Sequence, residues 1–231
     1  AAAPERLALP LRPSQLAPLT GRQAAAPAET AEPIRREPAV LPPTALLAGH
    51  RFLRGNLTHA LLEHLPEIGA PQRRAAAAAF LASRAPTLEA KIRAEIVAET
   101  LAVLEHPQLA PLFGPNSRAE VPIVAVLARE GSGPPLQLTG KIDRLVQTGD
   151  SVLILDYKSN RPPPRDVAAV AESYLLQLAA YASAVSAIFP ETQVRAALLW
   201  TDGARIMEIP KALLDAHAQR LWTLDPASLD A

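Results

Sequence analysis

The spacing of hydrophobic residues divides the chain into a helical part and a mixed part. From Thr44 onward, leucines recur at helical spacing along one face, which predicts a helix over residues 44–67. The same kind of spacing predicts two further helices, over 72–85 and 87–106, with Pro86 between them. This part of the chain is therefore expected to be a group of helices.

The pattern changes after Ser117 to short runs rich in β-branched and aliphatic residues. The predicted elements are strands over 118–130, 136–150 and 151–158, a helix over 165–189, strands over 194–200 and 204–209, and a closing helix over 211–222. A strand meander followed by a crossover helix and further strands is typical of an α/β domain. We therefore expect a mixed β-sheet flanked by helices, in one domain over residues 44–231.

The first 43 residues differ in composition from the rest of the chain. They contain nine prolines and show no sustained hydrophobic period, which predicts an extended proline-rich linker or arm. Plain disorder fits this composition equally well. The chain begins without methionine, and its only methionine is Met207, so we expect it to be a domain of a larger polypeptide.

Composition and charge exclude several functional classes. The 231 residues include no cysteine, which excludes disulfides, thiolate zinc sites and thiolate iron–sulfur clusters within the chain. Its apolar runs stay short of the ~20 residues of a membrane span, so no membrane partner is expected. Lys and Arg balance Asp and Glu at 23 each, and a neutral domain is expected to bind DNA weakly by itself. The phosphate-binding G-x-x-x-x-G-K-[ST] pattern does not occur, so no ATPase is expected in this chain.

Two aspartates stand out in the hairpin that the second and third predicted strands would form. A two-residue turn at 149–150 would place Asp143 directly opposite Asp156 on one sheet face. Lys158 projects from the same face, because it follows Asp156 by two residues. Facing carboxylates destabilise a sheet unless a cation or a proton compensates them. A divalent metal satisfies the electrostatics, and hard oxygen ligands favour magnesium or manganese.

A structural interpretation of these residues stays open. Aspartates at strand ends often cap turns, and an Asp-x-Lys triplet arises often by chance. The apolar run before Asp156 and the expected register favour the metal site, but neither excludes the structural role.

The ordered set of short motifs resembles a known nuclease family. "RGNLTHALLEHLPE", "GKIDRL", "LILDYKSN", "YLLQLAAY" and "VRAALLWTDGARIMEIP" are similar to segments of the nuclease domain of the RecB and AddA helicase–nucleases, which belong to the PD-(D/E)XK superfamily. The resemblance covers residues 44–210. AddA is the better match, because the chain ends soon after the closing helix and lacks the four cysteines of the AddB iron–sulfur site. The resemblance implies a restriction-endonuclease-like fold with an extended proline-rich N-terminal arm.

The resemblance also implies roles for particular residues. Asp143 and Asp156 match the metal-binding acids of the family, and Lys158 matches its catalytic lysine. His59 matches an additional metal ligand, and the backbone carbonyl of Tyr157 would be a further one. The implied cofactor is Mg²⁺, for which Mn²⁺ can substitute, without an iron–sulfur cluster.

A helical segment further along the chain matches a second motif of the family. Gln177 and Tyr181 match Q-x-x-x-Y, and Tyr174 precedes them on the same helical face. The resemblance implies that these three side chains contact DNA, whereas the residues alone fit a helix packed on the sheet equally well. The role of Glu120 stays open. The other histidines lack ligand spacing and are interpreted as structural: His50, His64, His106 and His217.

The implied function is hydrolysis of DNA by a magnesium-dependent exonuclease domain, in double-strand break repair by recombination. The implied partners are single strands from an unwound duplex, the N-terminal helicase region of the same full-length protein and an AddB-like subunit, in the bacterial cytoplasm. Two alternatives stay open: a nuclease-like docking or DNA-guiding domain without activity, and a restriction-type endonuclease acting alone. The presence of Asp143, Asp156 and Lys158 favours the active nuclease.

Overall fold

The described chain forms one β-sheet with helices before, within and after it in sequence. The computed structural model describes residues 11–13, 43–127 and 135–222 and, in the first helix, side chains from residue 53 onward. The helices are α1 (Pro43–His64), α2 (Ala70–Arg84), α3 (Ala90–Glu105), α4 (Glu172–Ile188) and α5 (Lys211–Leu221). The strands are β1 (Ser117–Leu127), β2 (Leu136–Thr148), β3 (Ser151–Lys158), β4 (Gln193–Trp200) and β5 (Arg205–Glu208).

The strands of the described residues form a mixed sheet in the order β1–β2–β3–β4–β5. Neighbouring strands are antiparallel except for β3 and β4, which are parallel. A parallel pair requires a crossover connection, and α4 provides it between β3 and β4. This architecture confirms the predicted fold class, a mixed β-sheet flanked by helices.

Each face of the sheet carries its own hydrophobic core. The core that includes α4 and α5 contains Ile154 and Leu198, and the core that includes α1, α2 and α3 contains Leu155 and Leu199. Successive strand residues point to opposite faces, so a strand covered on both faces consists of an unbroken apolar run. β3 therefore ends in surroundings enclosed from both sides. Within the described part of the chain, no helix combines the length and apolar character that crossing a membrane requires.

The crossover helix is shorter than predicted. The sequence predicts a helix over 165–189, but α4 begins at Glu172. A short 3₁₀ turn precedes it, and Oδ1 of Asp166 accepts a hydrogen bond from the amide of Ala169. Val170 then adopts extended backbone angles. The residues before Glu172 are apolar at helical spacing, but a side-chain-capped turn competes with the helix there.

The hairpin between β2 and β3 has the predicted two-residue turn. Thr148 pairs with Ser151, and the ladder continues in the predicted register to the pair of Arg144 and Leu155. Gly149 has a φ of +56°, which glycine adopts at no steric cost. The register prediction is therefore confirmed along these positions.

The ladder stops one step before the two aspartates. Asp143 and Asp156 do not form the predicted cross-strand pair, since the last paired positions are one residue away on each strand. Instead, Oδ2 of Asp143 accepts a hydrogen bond of 2.7 Å from the backbone amide of Tyr157. A side chain therefore replaces the backbone partner at this point, and the prediction of a direct pair is corrected.

The predicted arm falls mostly outside the described residues. Residues 11–13 are described, and α1 begins at Pro43, one residue before the predicted helix start. The predicted strand over 118–130 is described as far as Leu127, since residues 128–134 lie outside the described part. Residues 223–231 of the predicted domain also lie outside the described part.

Candidate active site

The end of β3 holds a buried carboxylate and a lysine. Asp156 is only 3 % exposed, and the ammonium group of Lys158 contacts its Oδ2. Nζ of Lys158 also donates a hydrogen bond of 3.0 Å to Oε1 of Gln177 and lies 4.2 Å from the centre of the Tyr174 ring. A carboxylate, an amide oxygen and an aromatic face therefore hold the ammonium in one position.

Burial makes Asp156 harder to ionise. Removal from water raises the pKa of Asp156, Lys158 opposes this effect, and the charge of Asp143 raises the pKa further. The net effect is a pKa above the usual value for aspartate. A nearby cation would stabilise the ionised form, because a buried charge is costly unless it is compensated.

A second polar group lies beside the first, where β2 separates from β3. One ligand atom from each of His59, Glu120 and Asp143 lies within 4.8 Å of the other two. These residues belong to α1, β1 and β2, so packing of the helix on the sheet brings them together. Two carboxylates and an imidazole could hold a metal, and the oxygen donors fit magnesium or manganese.

The imidazole of His59 is held by its neighbours. Its Nδ1 lies 3.4 Å from Oδ1 of Asp143, and its ring meets Tyr157 edge to face with 5.3 Å between ring centres. Burial lowers the pKa of His59, but the hydrogen bond and charge of Asp143 and the charge of Asp156 outweigh this effect, so the pKa lies above its usual value. The surroundings of His59 therefore favour positive charge, and a proton and a metal would compete for the site.

Glu120 occupies an unusual place in the sheet. The ladder between β1 and β2 runs on both sides of Glu120 but omits the pair of Glu120 with Asp143. Glu120 has a φ of +52°, and this left-handed region costs an L-residue roughly 1–2 kcal/mol. Its carboxylate contacts the ammonium group of Lys141. Backbone strain of this kind concentrates at functional sites, which supports Glu120 as the third member of the group.

A buried arginine, Arg144, follows Asp143 on β2. Arg144 is 3 % exposed. It donates to Oη of Tyr157 at 2.7 Å, to Oγ of Ser117 at 2.7 Å and to the carbonyl of Leu62 at 2.8 Å, and it lies 4.6 Å from the centre of the Phe113 ring. These hydrogen bonds go to neutral acceptors, and the carboxylate of the neighbouring Asp143 contacts His59 and the Tyr157 amide instead.

The predicted metal ligands are only partly gathered in one group. His59 and Asp143 join Glu120, whereas Asp156 contacts Lys158 and acts on His59 through its charge. The sequence left the role of Glu120 open, and the structure brings it together with His59 and Asp143 in a group that could hold a metal. A role for the backbone carbonyl of Tyr157 as a ligand stays a prediction.

The three residues of α4 that were predicted to contact DNA have different surroundings. The hydroxyl of Tyr174 donates to Oδ1 of Asn160 at 3.0 Å near the surface, and Gln177 binds Lys158. Tyr181 is 1 % exposed, and its hydroxyl donates to the carbonyl of Lys141 at 2.8 Å. Tyr181 therefore packs in the core, and contact with DNA would need an exposure that its side chain lacks.

The remaining histidines have partners elsewhere. His64 lies next to Glu63, Nδ1 of His106 accepts a hydrogen bond from the backbone amide two residues later, and Nδ1 of His217 lies 2.8 Å from a backbone carbonyl of its own helix. The side chain of His50 lies outside the described part of the chain. The three described contacts agree with the structural interpretation.

The raised pKa of Asp156 predicts a stabilising substitution in metal-free solution. A raised pKa in the folded state contributes stability below the unfolded value of about 3.9, and this stability is lost as the pH rises through the folded value. Asp156→Asn removes the charge and keeps an acceptor for Lys158. In EDTA at about pH 7, we expect its thermal midpoint to equal or exceed that of the wild type, and the gain to shrink toward about pH 4.

Asp215→Asn is the matched control, because Asp215 is an exposed carboxylate paired with Lys211. It should change the free energy of unfolding by less than about 0.5 kcal/mol. A large loss of stability in Asp156→Asn at neutral pH would mean that Asp156 serves mainly as a structural partner of Lys158.

Metal binding tests the place of Glu120. Glu120→Gln removes one of the two carboxylate charges, so we expect the affinity for Mn²⁺, measured by titration calorimetry, to fall at least about tenfold. A tenfold loss is the smallest effect typical of changing a residue that only hydrogen-bonds to a metal ligand. Glu105→Gln, at an exposed position of α3, should bind Mn²⁺ like the wild type. Equal affinities of the two variants would remove Glu120 from the ligand set.

One comparison with known protein families matches most of the chain. The family description of the PD-(D/E)XK nuclease superfamily matches residues 35–224. A solved structure titled "Crystal structure of SSO0001" is 15 % identical over 63 % of this chain and 69 % of that chain, with a TM-score of 0.29. No curated protein matches the chain. The family match spans most of the chain and includes the residues of the site, and the chain therefore belongs to the PD-(D/E)XK nuclease superfamily.

Proposed function

We propose that this chain is a magnesium-dependent deoxyribonuclease domain that hydrolyses strands delivered by an associated helicase, as the AddA and RecB nuclease domains do. The observation that carries the proposal is the proximity of two groups: the set of His59, Glu120 and Asp143, and the pair of Asp156 and Lys158. Membership of the superfamily implies a metal-dependent nuclease. The DNA substrate, the exonuclease action and the repair role extend this statement.

The first group would hold the metal. His59, Glu120 and Asp143 offer one ligand atom each, and Asp156 adds negative charge beside them. A bound divalent cation supplies Lewis acidity, which lowers the pKa of a water molecule and stabilises charge on a phosphoryl oxygen. The carboxylates favour Mg²⁺, and Mn²⁺ suits the same donors.

Lys158 is the positive group that the chain itself supplies. Its ammonium has donors and no acceptor, so it can orient an attacking water or stabilise negative charge that develops on the phosphate. Gln177 and Tyr174 restrict the ammonium to one place, and a fixed donor needs no reorganisation during the reaction. Gln177 therefore acts as a positioning residue for Lys158.

Among the described residues, two polar side chains that follow Lys158 in the chain already have partners within the domain. Tyr174 and Asn160 lie next to Lys158, and the half-exposed Arg161 contacts Glu99. With net charge zero, the domain lacks an excess of cations for phosphate contacts. Delivery by a tethered helicase and an AddB-like subunit would raise the local concentration of the strand without a new contact in the site.

Cleavage of end-labelled linear DNA tests the proposed activity. We expect cleavage in Mg²⁺ that EDTA abolishes, and a loss in Lys158→Ala of at least about a hundredfold, the usual effect of removing a charge-stabilising donor. Asp143→Ala should be inactive, and Lys91→Ala, at an exposed position of α3, should behave like the wild type. Intact Mn²⁺ binding without cleavage, even when a helicase feeds the strand, would favour the inactive docking domain.

DNA binding by the isolated domain tests its dependence on partners. Each neutralised phosphate adds about one unit to the logarithmic salt slope, and non-specific complexes have dissociation constants of about 1–100 μM at physiological salt. We expect a value at or above this range in Ca²⁺, with a shallow salt slope, in a titration against single-stranded and linear duplex DNA. Nanomolar binding with a steep salt slope would contradict the delivery of strands by partners.

A further inference from the structure

The outer half of β2 has an edge that β3 leaves unpaired. β2 begins at Leu136, but its ladder with β3 begins only at Arg144. β1 pairs with the opposite edge of β2 along this half. An unpaired edge presents backbone donors and acceptors to which an extended peptide can add as a strand.

The N-terminal residues 11–13 occupy this edge. Leu11 forms a parallel bridge with Leu138. The amide of Leu11 donates to the carbonyl of Gln137 at 2.7 Å, and the amide of Thr139 donates to the carbonyl of Leu11 at 3.0 Å. Two hydrogen bonds from one residue to the neighbours of its partner are the pattern of a parallel ladder.

Leu11 is the one residue of this segment that pairs with β2, and Pro13 already belongs to a 3₁₀ turn. Leu11 is 0 % exposed and belongs to the hydrophobic core on the α4 side of the sheet. Pro13 is buried as well, whereas Arg12 faces solvent. Proline has no backbone donor, so the backbone pairing is concentrated on Leu11, and burial of its side chain gives the contact its specificity.

The docked segment touches residues that support the active site. A Cβ atom at Gly140 would lie 3.3 Å from Cδ of Pro13 and 3.1 Å from the hydroxyl of Tyr181. β2, the segment and Tyr181 are therefore packed without spare room. The Tyr181 hydroxyl binds the carbonyl of Lys141, which precedes Asp143 by two residues on β2.

We propose that the edge of β2 at residues 137–139 is a strand-addition site for residues 11–13 of the same chain. Its occupation couples this N-terminal segment to the part of β2 around Asp143, through Pro13, Gly140 and Tyr181. The coupling rests on the proposed function, since it concerns the group around Asp143. The docking does not depend on that function.

Hydrogen exchange in the full chain tests the docking. Leu11→Asp places a charge in the core, and Arg12→Asp is the matched control with the same new residue on the solvent side. We expect the Thr139 amide to exchange at least about tenfold faster in Leu11→Asp, since burial of a leucine contributes more than the free energy that one factor of ten represents. Exchange at Thr139 should be unchanged in Arg12→Asp. Equal exchange in both variants and the wild type would overturn the docking.

The central amide of Leu198 distinguishes undocking from unfolding. It lies on β4, which β3 separates from β2, and should keep its wild-type exchange in both variants. If Leu11→Asp accelerates exchange at Leu198 as well, the milder Leu11→Ala takes its place, with the same expected and contradicting results at Thr139.

Titration calorimetry with Mn²⁺ tests the coupling in the same proteins. We expect the affinity to fall about two- to tenfold in the Leu11 variant, less than the about 10–100-fold effect of changing a residue that is hydrogen-bonded to a metal ligand. The affinity should stay unchanged in Arg12→Asp. Equal affinities would overturn the coupling and leave the docking in place. Neither measurement involves DNA cleavage, so a domain that fails to cut DNA would contradict the proposed function without affecting this result.

Discussion

The hydrogen bond from the Tyr157 amide to the Asp143 carboxylate determines how the two central strands separate. The backbone ladder ends at the pair of Arg144 and Leu155. The amide of Tyr157, two residues after Leu155, therefore needs another acceptor, because an unpaired buried amide is costly. The side chain of Asp143 provides this acceptor. Its other oxygen faces His59, so the separation of the strands and the orientation of a candidate metal-binding carboxylate depend on the same residue.

The buried charges around this bond are held in place rather than neutralised in one simple pair. Arg144 directs its hydrogen bonds to neutral acceptors, and Lys158 shares its ammonium among a carboxylate, an amide and a ring. Such arrangements contribute little net stability, because desolvation offsets the attraction. They do fix the positions of the charges before substrate arrives, which is what stabilisation of a developing charge requires. The raised pKa of Asp156 has the same origin, because burial raises it more than the charge of Lys158 lowers it.

Sequence patterns predicted the features that depend on local geometry. The limits of β3 (Ser151–Lys158) and its register on β2 follow from a two-residue turn, which determines the residues that face each other. The predicted ladder pair of Asp143 and Asp156 is wrong, because the side chain of Asp143 replaces a backbone acceptor. The spacing of hydrophobic residues gives no sign of such a replacement. Glu120 could not be assigned, since the connection from β1 to β2 is too long to set a register and a left-handed residue leaves no pattern. The bridge of Leu11 could not be predicted either, because its partner on β2 lies far away in sequence.

Helix α4 spans the gap that opens between the two strands. Tyr174, Gln177 and Tyr181 follow one helical face, yet Gln177 contacts the end of β3 through Lys158, and Tyr181 contacts β2 through the carbonyl of Lys141. Four residues of helix cover about 6 Å, so these two contacts tie the end of β3 and the middle of β2 to one rigid element. The Q-x-x-x-Y spacing therefore has a structural basis that does not require contact with DNA: the glutamine orients the lysine on one strand, and the tyrosine holds the other strand at a fixed distance from it.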